Sequence, residues 1–356
     1  MKIALLSYST KPRGGVVHTL ALAEALAALG EDVTVWTLGR GGDEGFYRPV
    51  DPAVRLRIVP FPDGPPGESV GERILRSIAT LHEAFDPAPY DIVHAQDCIS
   101  ANAVGRCVRT VHHLDHFTTP ELAACHEKAI VEPYAHVCVS RSVAEELREG
   151  WGLTADVIPN GVAYERFATL DPAAREKWRS RLGRYVLSVG GIEPRKGSLD
   201  LLEAYALLDA DDVHLVIAGG ETLFDYRDYR TRWERRAAEL GVEPVVLGPV
   251  ADDELPALVG AAAVFAFPSL KEGFGLAAME ALAAGVPLVV RDLPVLREVF
   301  GSAALFADTP RTLAGQLGHA VATEDPARRA AGRGLAARHT WDSAARRHLS
   351  LYRTLG

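Results

Sequence analysis

Two glutamates in a glycine-rich segment of the C-terminal half are the residues best placed to do chemistry. The segment reads PSLKEGFGLAAME and follows an apolar run at Val264–Phe267 that predicts a buried strand. Glu272 lies in the predicted loop, and Glu280 lies two turns into a helix expected to begin near Gly275. The N–H groups at a helix start attract anions and hydroxyl oxygens. Of the two carboxylates, one could hold a sugar hydroxyl and the other a ribose hydroxyl. An ordinary helix start with an acid that complements the dipole is the alternative.

A second loop places two adjacent cations beside paired glycines. The segment GGIEPRKG follows an apolar run at 185–189 and precedes a helical pattern. In such a turn Arg195 could bind a diphosphate as a planar fork and Lys196 as a point charge. A solvated Arg-Lys surface patch is the alternative.

Paired glycines also follow the first predicted strand, at residues 3–7. Gly14 and Gly15 precede a helical pattern at 16–29 and could let the backbone approach a phosphate; a flexible turn is the alternative. The dinucleotide fingerprint G-x-G-x-x-G and the Walker A pattern are absent from the sequence. The sequence therefore predicts neither of those two phosphate-binding loops.

Histidines concentrate in one region, since six of the twelve lie between His94 and His136. His112 follows the apolar run Val108–Val111, at the end of a predicted strand. His112 and His116 are four residues apart and would share a helix face, but no acid follows at the spacing of a zinc-protease motif. We therefore expect no metal site. A catalytic or substrate-contacting His112 and a purely structural His112 both stay open.

Composition and charge narrow the class of protein. The 356 residues are 48% hydrophobic and 24% charged, as in globular chains, and the length suggests two domains. A net charge of −9 argues against general nucleic-acid binding, which needs a basic surface. Four cysteines without a CxxC pair argue against zinc or redox motifs and favour a reducing cytosol. Apolar runs stay below the roughly 18 residues of a transmembrane helix, and the start turns polar too quickly for a signal peptide. We expect a cytoplasmic protein.

Short apolar runs alternate with helical patterns along both halves of the chain. This alternation predicts an α/β fold with parallel sheets covered on both faces. Eleven such runs are present, and the alternation breaks once, in the highly charged segment 164–184. We predict a first domain at 1–163, a linker with a surface helix at 164–184 and a second domain at 185–340. A C-terminal helix at about 341–356 is expected to pack back on the first domain. Ligands bind at the carboxyl ends of strands in such sheets, which favours a cleft between the domains.

The combination of motifs resembles the retaining glycosyltransferases of family 4, the group 1 glycosyltransferases. That family has the GT-B fold, two facing Rossmann-like domains with a cleft between them. The Glu-(seven residues)-Glu pattern of Glu272 and Glu280, in its EGFGL setting, is the specific motif. The resemblance also covers GGVVHTLALAEALAALGEDVTVWT, DIVHAQD, TVHH, IPNGVAYERF, LSVGGIEPRKG, HLVIAGG, VVLGPVADDELPALVGAAAVFAFPSLKEGFGLAAMEALAAGVPLVV and HTWDSAARRHLSLYR. The GGIEPRKG loop is similar to that of a poorly characterised bacterial subfamily.

The resemblance implies roles for the loops of the second domain. Glu272 would contact hydroxyls of the donor sugar, Glu280 would hold the ribose, and Lys196 would neutralise the diphosphate. Backbone N–H groups for the sugar and diphosphate would come from Gly273, Phe274, Gly275 and Leu276. Val250, after a Gly-Pro turn, stands where the family's backbone pairs with the base.

In the first domain, the resemblance implies that Gly14 and Gly15 approach the diphosphate and that His112 faces the reacting sugar. The chain departs from the family at two positions. Gly191 stands where many members have an arginine, so we expect Arg195 to take over diphosphate binding. Ala163 replaces an aspartate after the Asn-Gly-Val segment, which we expect to affect the hinge more than the chemistry.

The implied reaction moves a hexosyl group from a nucleoside-diphosphate sugar to an acceptor and keeps the anomeric configuration. The acceptor would attack on the face of the leaving group, without a metal ion and without any other cofactor. A GT-B sugar-nucleotide epimerase or hydrolase and a non-catalytic nucleotide-sugar-binding protein are the alternatives. The acceptor, the donor sugar, its base (UDP, GDP or ADP), the linkage and the oligomeric state stay open. Whether the protein contacts a membrane peripherally, through the helix that carries Arg73 and Arg76, stays open as well.

Overall fold

The computed structural model describes residues 1–115, 117, 120–220 and 226–355 and divides the chain into two compact units. The first unit comprises Met1–Gly161 and Trp341–Gly356, and the second comprises Val162–Thr340. Each unit is built around one parallel sheet with helices between the strands.

The first unit holds a sheet of seven parallel strands within the described ranges. Its strands are β1 (Lys2–Leu6), β2 (Asp32–Arg40), β3 (Arg55–Phe61), β4 (Ile92–Ala95), β5 (Val108–Val111), β6 (Ala135–Cys138) and β7 (Asp156–Val157), and its helices are α1 (Gly14–Ala28), α2 (Val70–Ala84), α3 (Cys98–Val104), α4 (Pro120–Val131) and α5 (Arg141–Trp151). The strand order is β3-β2-β1-β4-β5-β6-β7. Strands β4 and β5 are buried throughout, as expected for parallel strands covered on both faces, although they include the polar residues His94, Arg109 and Thr110.

The second unit repeats this arrangement with six parallel strands in the part of the chain described. Its strands are β8 (Arg184–Val189), β9 (Val213–Ala218), β10 (Val245–Gly248), β11 (Val264–Phe267), β12 (Leu288–Arg291) and β13 (Leu305–Ala307), and its helices are α6 (Tyr164–Ala168), α7 (Pro172–Leu182), α8 (Ser198–Ala206), α9 (Arg227–Leu240), α10 (Leu255–Ala261), α11 (Leu276–Ala283), α12 (Pro294–Phe300), α13 (Pro310–Ala322) and α14 (Pro326–Arg338). The order is β10-β9-β8-β11-β12-β13.

The first strand of each sheet lies at a topological switch point. Strand β1 pairs with both β2 and β4, and β8 pairs with both β9 and β11. Connections leave such a strand in opposite directions on its two sides, which opens a crevice at its carboxyl end. Gly14 and Gly15 follow β1, and Gly190 and Gly191 follow β8, so both glycine pairs lie at the edge where open α/β sheets bind ligands.

The C-terminal helix α15 (Trp341–Leu355) belongs to the first unit. Its buried residues Ala345, Leu349 and Tyr352 join the core that α1 and the central strands form. Among the described helices, none has both the length and the apolar character needed to cross a bilayer.

Two predictions about this part of the fold need correction. The segment 164–184 is not a separate linker, because it forms α6, α7 and the start of β8 and falls within the second unit. Most of its charged residues are exposed, while Phe167 and Trp178 are buried. Strands β7 and β13 were not expected from the sequence. They contain only two and three residues, so each gives little pattern by which to recognise a strand.

Candidate active site

The cationic loop of the second unit folds tightly after β8. Gly190 and Gly191 have φ angles of 137° and 79°, which favour glycine. A Cβ on Gly191 would lie 2.8 Å from the carbonyl oxygen of Gly220, so the chain passes too close to its neighbour for any side chain. Arg195 and Lys196 then lie in a 3₁₀ turn, Pro194–Lys196, just before α8.

The acidic loop runs from the end of β11 to the start of α11. Gly275 is the N-cap of α11, with a φ angle of 97°. Glycine has no side chain that could cap the helix, so the first N–H groups of α11 remain available to a ligand. The rings of Phe267 and Phe300 lie 3.2 and 3.1 Å from where a Cβ on Gly275 would be, and they hold the helix start in place.

Backbone contacts join the two loops. The N–H of Leu270 donates to the carbonyl of Arg195 at 2.8 Å. A Cβ on Gly197 would lie 2.2 Å from the carbonyl oxygen of Pro268, so only glycine permits this approach. The loops are therefore held against each other by main-chain groups before any side chain is considered.

Side chains complete the contact, and they are the ones the sequence singled out. Lys196 Nζ donates to Glu272 Oε1 at 2.7 Å, and Arg195 Nη1 lies 3.3 Å from the same oxygen. Arg195 Nη1 also donates to the carbonyl of Lys271 at 3.2 Å. The side chains of Glu272 and Lys196 are only 11% and 20% exposed, so solvent screens their attraction less than it would at the surface. Two cations and one carboxylate are thus held together beside the start of α11.

Arg291, which the sequence analysis did not single out, anchors the acidic loop. It ends β12 and is 9% exposed. Its Nε and Nη2 donate to the carbonyl of Pro268 at 3.2 and 3.1 Å, its Nη1 donates to the carbonyl of Asp308 at 2.8 Å, and its Nη2 also donates to Asp200. The sequence feature that could have identified Arg291 is a cation at the end of an otherwise apolar strand. Arg291 ties the loop of Glu272 to α8 and to the residue after β13.

Replacing Arg291 with methionine is expected to lower the free energy of unfolding by about 2 kcal/mol, because it leaves the Pro268 carbonyl without its donor. Urea unfolding followed by circular dichroism measures the change. Arg346→Met is the control, since Arg346 is 64% exposed in its pair with Asp342 and should change stability by less than about 0.5 kcal/mol. Equal effects of the two substitutions would show that Arg291 is not an anchor.

Glu280 lies on α11 and is half-buried. Burial raises the pKa of its carboxyl to about 7; Arg166 opposes this shift and Asp252 adds to it. Arg166 pairs with Asp252 at 2.9 Å. Glu280 therefore titrates near neutral pH, which is unusual for a glutamate.

Val250 is half-buried and lies two residues beyond β10. Gly248 has a φ angle of 68°, and its carbonyl accepts the N–H of Gly219 at 2.8 Å. The turn that carries Val250 is therefore tied to the segment after β9.

The predicted residues of the first unit lie together around His112. Gly14 and Gly15 are the first residues of α1, and a Cβ on Gly15 would lie 3.7 Å from the His112 ring. His112 follows β5 in a bend rather than a helix, so the helix face predicted for it does not form; His116 lies outside the described residues. Burial holds the pKa of His112 well below its usual value, and the ring is neutral.

His18 and Asn160 are further residues that sequence reasoning missed here. The ring of His18 packs edge-on against His112, with centroids 4.8 Å apart. Nδ1 of His18 donates to Asn160 Oδ1 at 2.8 Å, and burial lowers the pKa of His18 to about 3. His94, at the end of β4, is buried and hydrogen-bonded to Tyr352 and Thr110. Asn160 thus fixes the ring of His18, and His112 packs against that ring, while His94 is held by its two hydrogen bonds.

Comparison with protein families gives two matches that together span most of the chain. A family described as glycosyl transferases group 1 matches residues 172–331, which lie in the second unit. A family described as glycosyltransferase family 4 matches residues 12–166, most of which lie in the first unit.

Curated relatives carry related names. The chain is 30% identical to MMP alpha-(1→4)-mannosyltransferase of Mycolicibacterium hassiacum, with 85% of this chain and 83% of the relative covered. It is also 30% identical to D-inositol 3-phosphate glycosyltransferase of Xylanimonas cellulosilytica, with 99% and 96% covered.

Solved structures show the same fold. Sucrose-phosphate synthase from Thermosynechococcus elongatus superposes with a TM-score of 0.82 at 22% identity, over 99% of this chain and 98% of that one. The lipopolysaccharide glycosyltransferase WaaG superposes with a TM-score of 0.76 at 18% identity, over 98% and 99%. The two parallel-sheet units, the paired loops and these matches lead to one conclusion: the chain belongs to the group 1 glycosyltransferases of family 4, has the GT-B fold and is a glycosyltransferase.

Proposed function

We propose that this glycosyltransferase moves a hexosyl group from a nucleoside-diphosphate sugar to an acceptor, with retention of configuration and without a metal ion. One observation carries the proposal. Arg195 and Lys196 are held within 3.3 and 2.7 Å of the Glu272 carboxylate, beside the start of α11. The relative named as a mannosyltransferase supports a hexose as the transferred sugar.

The two cations and the helix start suit the diphosphate of the donor. Arg195 binds phosphate oxygens as a fork, Lys196 binds as a point charge, and the first N–H groups of α11 donate to the same anion. When Lys196 turns to the diphosphate, Glu272 is released to accept hydrogen bonds from the sugar hydroxyls. This exchange replaces the ion pair of Lys196 and Glu272 with contacts to the donor.

The rest of the donor lies along α11 and β10 in this proposal. Glu280 accepts hydrogen bonds from the ribose, and the backbone at Val250 pairs with the base. Gly14, Gly15 and His112 keep the roles expected from the family resemblance, and these roles stay predictions.

Charge development sets the requirement for catalysis. The bond between the anomeric carbon and the phosphate oxygen breaks while a bond to the acceptor oxygen forms on the same face. The acceptor proton passes to the departing phosphate. Negative charge grows on the diphosphate in the transition state, so preorganised cations and helix N–H groups lower the barrier. Because these groups already neutralise the leaving group, the proposal includes no divalent cation.

Turnover with a panel of donors and acceptors tests the proposal. The full-length protein is incubated with UDP-, GDP- and ADP-hexoses and an acceptor panel, and NMR identifies the anomeric configuration of the product. We expect release of the nucleoside diphosphate, a product with the donor's anomeric configuration, and unchanged activity in EDTA.

Other outcomes would contradict particular parts of the proposal. An epimerised or hydrolysed donor in the absence of acceptor would favour an epimerase or hydrolase. Donor binding without turnover across the panel would favour a binding protein. Loss of activity in EDTA that Mg²⁺ restores would overturn the metal-free mechanism.

The pKa of Glu280 predicts a pH-dependent affinity for the donor. Only the ionised carboxylate can accept from both ribose hydroxyls, so the dissociation constant should fall as pH rises from about 6 to 8. Below pH 7 the affinity should drop by up to about tenfold per pH unit. The free energy of unfolding depends on pH in the opposite direction. Because the pKa of Glu280 is raised in the folded state, the stability that its protonated carboxyl contributes is lost as pH rises through about 7.

Isothermal titration with the nucleoside-diphosphate sugar measures this dependence, since the diphosphate diester does not itself titrate in this range. Glu280→Gln should bind with an affinity that no longer varies with pH. The exposed Glu243→Gln serves as the control and should keep the wild-type profile. A wild-type affinity that is flat between pH 6 and 8 would remove Glu280 from the ribose site.

A further inference from the structure

A group of three arginines in the first unit takes no part in the donor site proposed above. Arg40 is the last residue of β2, while Arg73 and Arg76 lie on α2. Arg73 and Arg76 are three residues apart and therefore share one side of the helix. We call Arg40, Arg73 and Arg76 the α2 arginine cluster.

Aromatic rings and a hydroxyl hold the cluster in place. The Arg40 guanidinium carbon lies 5.5 Å from the centroid of the Tyr8 ring and 4.9 Å from that of Phe61. The Arg76 guanidinium carbon lies 4.0 Å from the centroid of the same Phe61 ring. Nη2 of Arg40 donates to Ser77 Oγ at 2.8 Å, which ties the end of β2 to α2. The guanidinium groups of Arg40 and Arg76 are therefore preorganised rather than spread through solvent.

The hydrogen bonds of Arg40 go to uncharged acceptors, the Ser77 hydroxyl and the carbonyl of Tyr8 at 3.2 Å. Burial lowers the pKa of Arg40 from its ordinary value; Tyr8 and Asp97 oppose the shift, whereas Arg73 and Arg76 add to it. The positive charge of Arg40 is thus only partly compensated.

The nearby acids are engaged elsewhere. Asp97 accepts the backbone N–H groups of Tyr8 and Ser100 at 2.9 and 2.8 Å. Glu68 pairs through both oxygens with Arg76, at 2.6 and 3.0 Å, and Nη1 of Arg76 donates to the carbonyl of Pro62 at 3.0 Å. The carboxylates around the cluster are therefore bound to backbone amides or to Arg76, and the guanidinium of Arg40 is left for an anion from outside.

We propose that the α2 arginine cluster binds a phosphate monoester group on the acceptor. Guanidinium groups recognise phosphate through paired N–H donors, and a dianion matches more than one of them. Arg40 also lies at the carboxyl end of its strand, the edge at which open α/β sheets bind ligands. The inference rests on the proposed function, because it names the chemistry of the acceptor.

Calorimetric binding to the full-length protein tests the inference without requiring turnover. The probes are glucose 6-phosphate, fructose 6-phosphate and glycerol 3-phosphate, each with its unphosphorylated parent, together with inorganic phosphate and glucuronate. At least one monoester should bind about tenfold or more tightly than its parent, than inorganic phosphate and than glucuronate. No preference for any monoester would overturn the inference, and equal binding of inorganic phosphate would overturn the assignment to the acceptor.

Variants locate the binding. Arg40→Gln should weaken monoester binding about tenfold, and Arg40→Lys should recover part of it. Arg57→Gln, an exposed arginine on the neighbouring strand β3, should bind like the wild type. If circular dichroism shows that Arg40→Gln is unfolded, Arg76→Gln replaces it and should also weaken monoester binding, because it leaves the Glu68 carboxylate unpaired beside Arg40. Full affinity in a folded Arg40→Gln or Arg76→Gln variant would overturn the inference.

Lys196→Ala separates this inference from the proposed function. It should lose nucleotide-sugar affinity and keep monoester affinity, whereas Arg40→Gln should show the reverse. Monoester affinity that depends on Lys196 instead of Arg40 would place the anion at the donor loops and overturn the inference alone. Nucleotide-sugar affinity that survives Lys196→Ala would overturn the proposed function. The monoester measurements would still test the α2 arginine cluster independently.

Discussion

Replacing Lys196 with alanine is expected to lower turnover by about two to three orders of magnitude while the fold persists. Lys196 is the cation closest to Glu272, at 2.7 Å, and it is 20% exposed. In the proposed mechanism it binds the diphosphate and neutralises charge that grows on it, so its removal raises the barrier in addition to weakening donor binding. Steady-state kinetics with saturating donor measures the loss.

Controls separate the charge of Lys196 from its packing. Lys177→Ala removes a lysine that is 67% exposed and pairs with Glu254 at 2.9 Å, and its turnover should stay near wild type. Lys196→Arg keeps the charge and should retain more activity than the alanine variant. Near-normal turnover in a folded Lys196→Ala enzyme would refute the diphosphate role.

Replacing Glu272 with glutamine is expected to lower kcat/KM for the donor by about a hundredfold. Glutamine keeps the size of the side chain but removes the charge that accepts hydrogen bonds from sugar hydroxyls and orients Lys196. Initial rates over a range of donor concentrations measure the change. Glu203→Gln, in the 39% exposed pair with Arg236, is the matched control and should leave donor kinetics unchanged.

The same two residues allow a sharper test. Because Lys196 and Glu272 are in direct contact, their effects should not add: the double variant Lys196→Ala and Glu272→Gln should lose less than the product of the two single losses. Strictly additive losses would show that the two side chains act independently, and unaltered donor kinetics in Glu272→Gln would remove it from the site.

Much of the local structure followed from the apolar pattern. Strands β5 and β11 have the bounds predicted above, because strands covered on both faces are rich in apolar residues. Helix α11 begins one residue after Gly275, as a glycine N-cap predicts. In the segment 164–184 the expected surface helix is present as α7, held by a single buried stripe, whereas the separate linker that its charge suggested is not.

Contacts between residues that are far apart in the sequence could not be predicted from the apolar pattern. Arg291 donates to Pro268, 23 residues away, and to Asp200, 91 residues away. His18 bonds to Asn160 across 142 residues, and only the structure shows that the His18 ring packs against His112. The α2 arginine cluster likewise forms because β2 and α2 pack around Phe61.

The sequence by itself determined which residue types follow each strand: the glycine pairs, the Arg-Lys turn and the two glutamates. These features are local, since φ angles, helix starts and strand burial depend on neighbouring residues. The tertiary structure decided that Lys196 and Glu272, 76 residues apart, share one hydrogen bond. Such a contact depends on β8 and β11 being neighbours in the sheet, which brings their carboxyl ends to the same edge, and strand order is a property of the folded chain as a whole.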